Sequence, residues 1–193
     1  MSASPTSFSV TPPAPPSTAA QAVGLLRELG AQQIAHPGGT LLAHLCRVYR
    51  LLAAWEARPA LRLAGLCHAA YGTDGFPTAL LSLDRRAELA RVIGPEAEEI
   101  VHAYAAMDRR TTRPGLAAPD ALFHDRFTGG TRTVDRRRCE DLAELTTANE
   151  LDLARVDPAF RERRGADLLA LFTGFRPLLT GRAWTDVEAL LVR

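Results

Sequence analysis

Apolar positions along most of this chain recur every three or four residues, the spacing of helices with one buried face. Thr18 can cap a first helix carrying Val23, Leu25, Leu26 and Leu29, with Gly30 as its stop. Pro37-Gly38-Gly39 reads as a turn, and Thr40 as the cap of a second helix with Leu41, Leu45, Val48, Leu52 and Trp55 on one stripe. Arg47 and Arg50 fall on its other side. Pro59 starts a third helix, predicted to run to about Tyr71 and apolar nearly all round, which marks it as central. Asp84 caps a short helix to Ile93, and Pro95 opens another to about Asp108 with Ile100, Val101, Tyr104 and Met107 on one face. Residues 109–134 are rich in Gly, Pro, Thr and Arg. A small hairpin is predicted within 127–134 around Gly129-Gly130, and the whole stretch is long enough to act as a lid. A long helix from about Asp135 to Val156, one beginning at Pro158, and a last one with Val187, Leu190 and Leu191 complete the pattern.

The fold class expected is therefore all-α, a helical bundle with a small β-hairpin insertion. Residues 1–17 hold Pro5, Pro12, Pro13, Pro15 and Pro16 among Ser, Thr and Ala, and such a tract buries too little apolar surface to order itself. We read 1–17 as a disordered tail and 18–193 as one domain.

Polar residues that break the apolar stripes carry the functional signal. His44 lies on the inner stripe of the second helix, and His68 ends the run Leu63-Ala64-Gly65-Leu66-Cys67-His68. On the long helix, Asn149 and Asp152 interrupt an apolar face one turn apart. Buried polar groups need partners, so these side chains are expected to converge on an internal polar site. Asp108 reads as a helix-end cap. Tyr71, Thr73 and Asp74 follow His68 directly and are expected at the mouth of that site.

Composition narrows the classes. The formal net charge is +1, so no global field favours nucleic acid or a membrane surface. The arginine groups at 109–113 and 132–138 are diluted by Asp135, Glu140 and Asp141 and read mostly as a solvated face. Cys46, Cys67 and Cys139 are scattered and odd in number, which points away from a disulfide framework and toward a reducing compartment. No stretch approaches the ~18 apolar residues of a membrane helix, and the expected localisation is cytoplasmic.

The set of inward His44, inward His68 and late Asn149 and Asp152 resembles the HD-domain superfamily, in which a first His, an adjacent His-Asp pair and a late Asp converge on metal. The run His68-Ala69-Ala70-Tyr71-Gly72-Thr73-Asp74-Gly75-Phe76 is similar to an uncharacterised HD-like group with a His-x-x-Tyr-Gly-Thr-Asp/Glu-Gly-Phe signature. The similarity spans roughly residues 20–175. Ala69 stands where the pair has Asp, and Asn149 stands at the late position, so the resemblance implies a degenerate HD-like pocket that has lost two carboxylate ligands.

The reading favoured is an enzyme acting on a small-molecule substrate by histidine acid–base chemistry in isomerisation, cyclisation, elimination or hydrolysis, in specialised metabolism. His44, His68 and Asn149 would be catalytic, with Tyr71, Thr73, Asp74 and Asp152 binding substrate and no cofactor. One alternative is a single Fe, Mn or Zn held by His44, His68 and Asp152 or Asp74, supporting phosphoester hydrolysis or oxygen-dependent cleavage. The other is a non-catalytic module that binds a small ligand. Neither nucleic acid nor membrane is expected as a partner.

Overall fold

A computed structural model describes residues 18–192 of the chain. The predicted tail, 1–17, lies outside the described residues. Within them the fold is all-α with two small antiparallel hairpins.

Helix α1 (Thr18–Glu28) is followed by a hairpin of β1 (Ala35–His36) and β2 (Gly39–Thr40), then by α2 (Leu41–Ala54) and α3 (Pro59–Cys67). Thr40 caps α2 through its side chain, which accepts from the Ala43 amide. Helix α3 stops four residues earlier than the apolar run predicts, with His68 as its C-cap. The remaining residues form a turn that Gly72 completes at φ 67. A Cβ at Gly72 would lie 2.9 Å from the Pro77 carbonyl oxygen, so both the space and the backbone conformation call for glycine.

A single 3₁₀ turn (Leu83–Arg85) leads into α4 (Arg86–Ile93) and α5 (Pro95–Ala106), so the first residues of the predicted Asp84–Ile93 helix are wound more tightly. The stretch 109–134 is ordered secondary structure rather than one irregular loop. It comprises α6 (Arg109–Thr112), a 3₁₀ turn, β3 (Leu122–His124) and β4 (Thr131–Thr133). The hairpin is thus real, but its first strand starts at Leu122 and its connection spans 125–130, because the Asp125 side chain turns the chain early by accepting from the amides of Phe127 and Thr128. Helices α7 (Arg136–Val156), α8 (Pro158–Phe175) and α9 (Gly181–Leu191) close the fold, and Asp135, Asp157 and Thr180 cap them.

Helix α7 is buried along most of its length, packed by α2, α3, α5, α8 and α9. It is also rich in polar side chains: Asp141, Glu144, Thr146, Thr147, Asn149, Glu150 and Asp152 are all buried. Such a helix can sit inside only if neighbours satisfy those groups. Arg58 binds Asp141, the Thr180 amide binds Glu144, and the Thr147 hydroxyl donates to the Ala143 carbonyl. Burial holds the Asp141 and Glu144 carboxyls above the usual range. The apolar α3 packs against the same centre, where Gly65 lets Val48 and Leu52 of α2 approach.

Candidate functional site

Two polar residues of the buried α7, Asn149 and Glu150, face one cavity. Its volume is about 480 Å³, within the range of small-molecule sites, and its lining includes His36, His44, His68, Asn149, Arg109 and Arg113.

His44 is 1 % exposed and has polar partners on both ring nitrogens. Nδ1 lies 2.7 Å from Asp152 Oδ2, and Nε2 lies 3.1 Å from Asn149 Oδ1. Both partners come from α7, where positions 149 and 152 sit one turn apart and bracket the ring. Asp152 is clamped from behind by Arg47, whose Nε donates to Oδ1 at 2.7 Å and whose second terminal nitrogen donates to Oδ2 at 2.9 Å. Arg47 also donates to the Pro37 and Gly38 carbonyls of the first hairpin turn. Burial pushes the Asp152 carboxyl up, but the hydrogen bonds from His44 and Arg47 outweigh it and hold it below the ordinary carboxylate range. An ionised Asp152 makes Nδ1–H the proton His44 keeps. Nε2 then has two states. In the neutral ring it accepts from the Asn149 amide nitrogen, and in the imidazolium it donates to Oδ1, the two being related by a half turn of the amide.

His68 is fixed differently. As the C-cap of α3 it turns its ring back, and Nδ1 donates 2.8 Å to the Gly65 carbonyl, one of the helix-end acceptors left without an amide partner. Its Nε2 has no protein partner among the described residues. Burial and the nearby His44 lower its pKa to about 3, so it is a neutral ring that accepts a hydrogen bond and stays unprotonated near neutrality. The His44 and His68 rings meet edge to face at 5.3 Å between centroids, and Tyr104 lies 5.6 Å beyond His68.

Sequence reasoning missed His36. It lies in β1, at the edge of the first hairpin, and stacks on His44 at 4.2 Å with 27° between the ring planes. Burial, followed by the His44 charge, lowers its pKa to about 4. Its Nδ1 is buried with no hydrogen-bond partner. A two-residue strand leaves no periodic signal. The adjacency of His36 to the Pro37-Gly38-Gly39 turn was the available clue.

The predicted set divides. His44, His68 and Asn149 come together on the cavity, and Thr73 joins them as a buried lining residue. Asp152 stands behind His44 and does not line the cavity. Tyr71 points elsewhere, its hydroxyl donating to Glu98, which Arg86 also grips. The Asp74 carboxylate accepts from the Arg109 amide, so it ties the loop after His68 to α6 instead of reaching the cavity. Asp108 caps α6 by accepting from the Thr111 amide. Arg47, predicted on the outer side of α2, is the partner of Asp152. Arg109 and Arg113 are not a solvated face: their side chains are 17 % and 14 % exposed and flank Glu150. Cys67 is wholly buried, and burial raises its thiol to about 12, which leaves it a packing residue.

The metal that the HD resemblance implies does not fit this donor set. Both Asp152 oxygens are held by Arg47 and His44, both His44 nitrogens face α7 partners, and Ala69 brings no ligand atom to the cavity wall. Among the described residues no group of three or more His, Cys, Asp or Glu side chains is placed to hold a metal ion. Among them, too, no helix is long and apolar enough to cross a membrane.

No curated protein and no solved structure matches the chain. Residues 25–109 match a family described as a domain of unknown function (DUF6817). The matched segment carries His36, His44, Arg47, His68 and Arg109, while Arg113, Asn149, Glu150 and Asp152 lie beyond it.

Proposed function

We propose that this chain is a small-molecule enzyme that uses His44 as its acid–base group, in a pocket of degenerate HD type. The observation that carries the reading is the Asp152–His44–Asn149 alignment at the wall of a cavity of about 480 Å³. A carboxylate on one ring nitrogen fixes the tautomer and stabilises the imidazolium, which suits the other nitrogen to take and return a proton. Asn149 follows the change of state by rotating its amide, or yields Nε2 to a substrate and hydrogen-bonds that substrate instead. His68, neutral and with a free Nε2, accepts a hydrogen bond from a substrate hydroxyl or amide and orients it. His68 is therefore a positioning group in this reading and not a second proton carrier. The reaction class is one that proton transfer alone can drive: isomerisation, cyclisation, elimination or hydrolysis. A place in specialised metabolism is part of the same proposal.

The test is untargeted mass spectrometry of a small-molecule extract incubated with the full chain or with its His44→Gln variant. Consumption of one compound and appearance of another with the wild type alone supports the reading. Retention of an intact compound by both proteins, with nothing consumed, contradicts it and supports a binding module.

A further inference from the structure

The cavity has two chemically different halves. One is the histidine wall continued by Arg109 and Arg113. The other comes mainly from α7 and α8 and is largely apolar, with Leu153, Phe160, Leu168 and Leu171 faced by Leu41 and Phe76, though Asp157 and the Arg164–Asp167 ion pair also line it. Leu153, Phe160 and Leu171 are only half-buried, so the cavity keeps apolar surface that a ligand can cover.

The arginine end carries a surplus of donors. Arg113 gives Glu150 one hydrogen bond at 3.1 Å, and Arg109 approaches the same oxygen at only 3.7 Å. A guanidinium has five N–H donors, and beyond Glu150 Arg109 adds only the Tyr104 hydroxyl at 3.3 Å. The Nε atoms of both arginines are buried without a partner. Two guanidiniums thus share one lining carboxylate. The neighbouring Asp74 carboxylate accepts from the Arg109 backbone amide and does not line the cavity. His36 and His68 add hydrogen-bonding capacity there but no charge near neutral pH. Over the whole lining, Arg109, Arg113 and Arg164 stand against Glu150, Asp157 and Asp167, so what distinguishes this end is its unpaired guanidinium donors and not a net charge.

We infer that the cavity takes a monoanionic carboxylic acid with a ring or branched apolar body, its carboxylate on Arg109 and Arg113 and its body against Leu153, Phe160, Leu168 and Leu171. The inference rests on the acid–base reading for its reaction but not for its binding. A planar carboxylate matches a guanidinium fork. The body of such an acid would then lie beside His44 Nε2, which places its carbon framework within reach of the proton-carrying group.

The probes are 2-naphthoate, its neutral isostere 2-naphthamide, and inorganic phosphate, each titrated into the full chain at pH 7.5 by calorimetry. The expected order is naphthoate about tenfold or more tighter than the amide, with phosphate weakest. Arg113→Gln lowers naphthoate affinity about tenfold. Glu150→Gln, which removes the competing carboxylate, raises it, a change of sign that a merely structural role for Glu150 does not give. Equal affinity for acid and amide, no binding of naphthoate at millimolar concentration, tighter binding of phosphate, or weakened binding in Glu150→Gln overturns the inference. Because the readout is binding, loss of the proposed turnover leaves this inference standing, and its failure leaves the role of His44 standing.

Discussion

His44 and Asp152 meet through a 2.7 Å contact between a ring nitrogen on α2 and a carboxylate on α7, more than a hundred positions apart in the chain. The carboxylate is not free to leave, because Arg47 holds both of its oxygens. The pair is therefore rigid and buried, with the other imidazole nitrogen, Nε2, held on Asn149 at the cavity wall.

Asp152→Asn tests the role of the carboxylate. The amide keeps the size and a hydrogen bond but loses the charge that stabilises the imidazolium. Turnover of the substrate found by mass spectrometry should fall by about 10²–10⁴-fold, the range of a lost acid–base contribution, with KM changed little. Steady-state kinetics of the variant check this, and a kcat near that of the wild type contradicts it. The variant also leaves Arg47 without its charged partner, so unfolding in urea should occur at lower denaturant.

Acid should destabilise the fold before most carboxylates titrate. His68 and His36 have folded pKa values of about 3 and about 4, against 6.5 for the unfolded ring. Between these limits the unfolded chain binds more protons than the folded one, so stability is full above pH 6.5 and is lost as pH falls toward the folded values. The wholly buried His68 alone gives a slope of about 1.4 kcal/mol per pH unit in that window, and half-exposed His36 adds a smaller amount. Urea titrations at pH 5.0 and 7.5 measure the difference. His68→Asn should shrink it, and an unchanged difference in that variant would falsify the assignment.

Gly65→Ala examines how α2 and α3 place the two histidines. The added Cβ collides with Leu52 Cδ1 and presses on Val48 Cγ1 at 3.4 Å, both on the face of α2 that carries His44. Overpacking of this kind costs about 1–3 kcal/mol. It also shifts the Gly65 carbonyl that holds His68, so thermal stability and turnover should fall together. A folded variant with full turnover would show that the spacing of the two helices is unimportant to the site.

Prolonged dialysis against a chelator should leave both melting temperature and turnover unchanged, because the carboxylate that a metal would need is already bound by Arg47. Loss of either property, restored by iron, manganese or zinc and absent in a His44→Ala/His68→Ala double variant, is the result that revives the metal-dependent reading.

Helix periodicity and capping residues made most of the fold legible. Thr40, Asp135 and Pro158 mark helix starts that the structure keeps. The inward polar residues His44, His68, Asn149 and Asp152 were visible because each interrupts an apolar stripe. What escaped depended on tertiary geometry. Arg47 lies off the α2 stripe yet reaches over to Asp152, since a long side chain carries its charge well away from its backbone position. His36 sits in a strand too short to have a period. Arg109 and Arg113 looked solvated because only the folding of 109–134 into α6 and a hairpin turns them toward Glu150. Tyr71 was misplaced for a local reason: α3 ends at Cys67, and the turn that follows directs the phenol to Glu98.

The most direct test of the account is the tautomer of His44, read from two-bond nitrogen–proton correlations in ¹⁵N-labelled protein at neutral pH, with Asp152→Asn as control. The account predicts that Nδ1 carries a proton shifted far downfield by the carboxylate, and that this signal moves upfield or disappears in the variant. A His44 ring protonated on Nε2 alone, with no Asp152-dependent signal, would contradict it, because the nitrogen facing the cavity would then have no lone pair with which to take a proton.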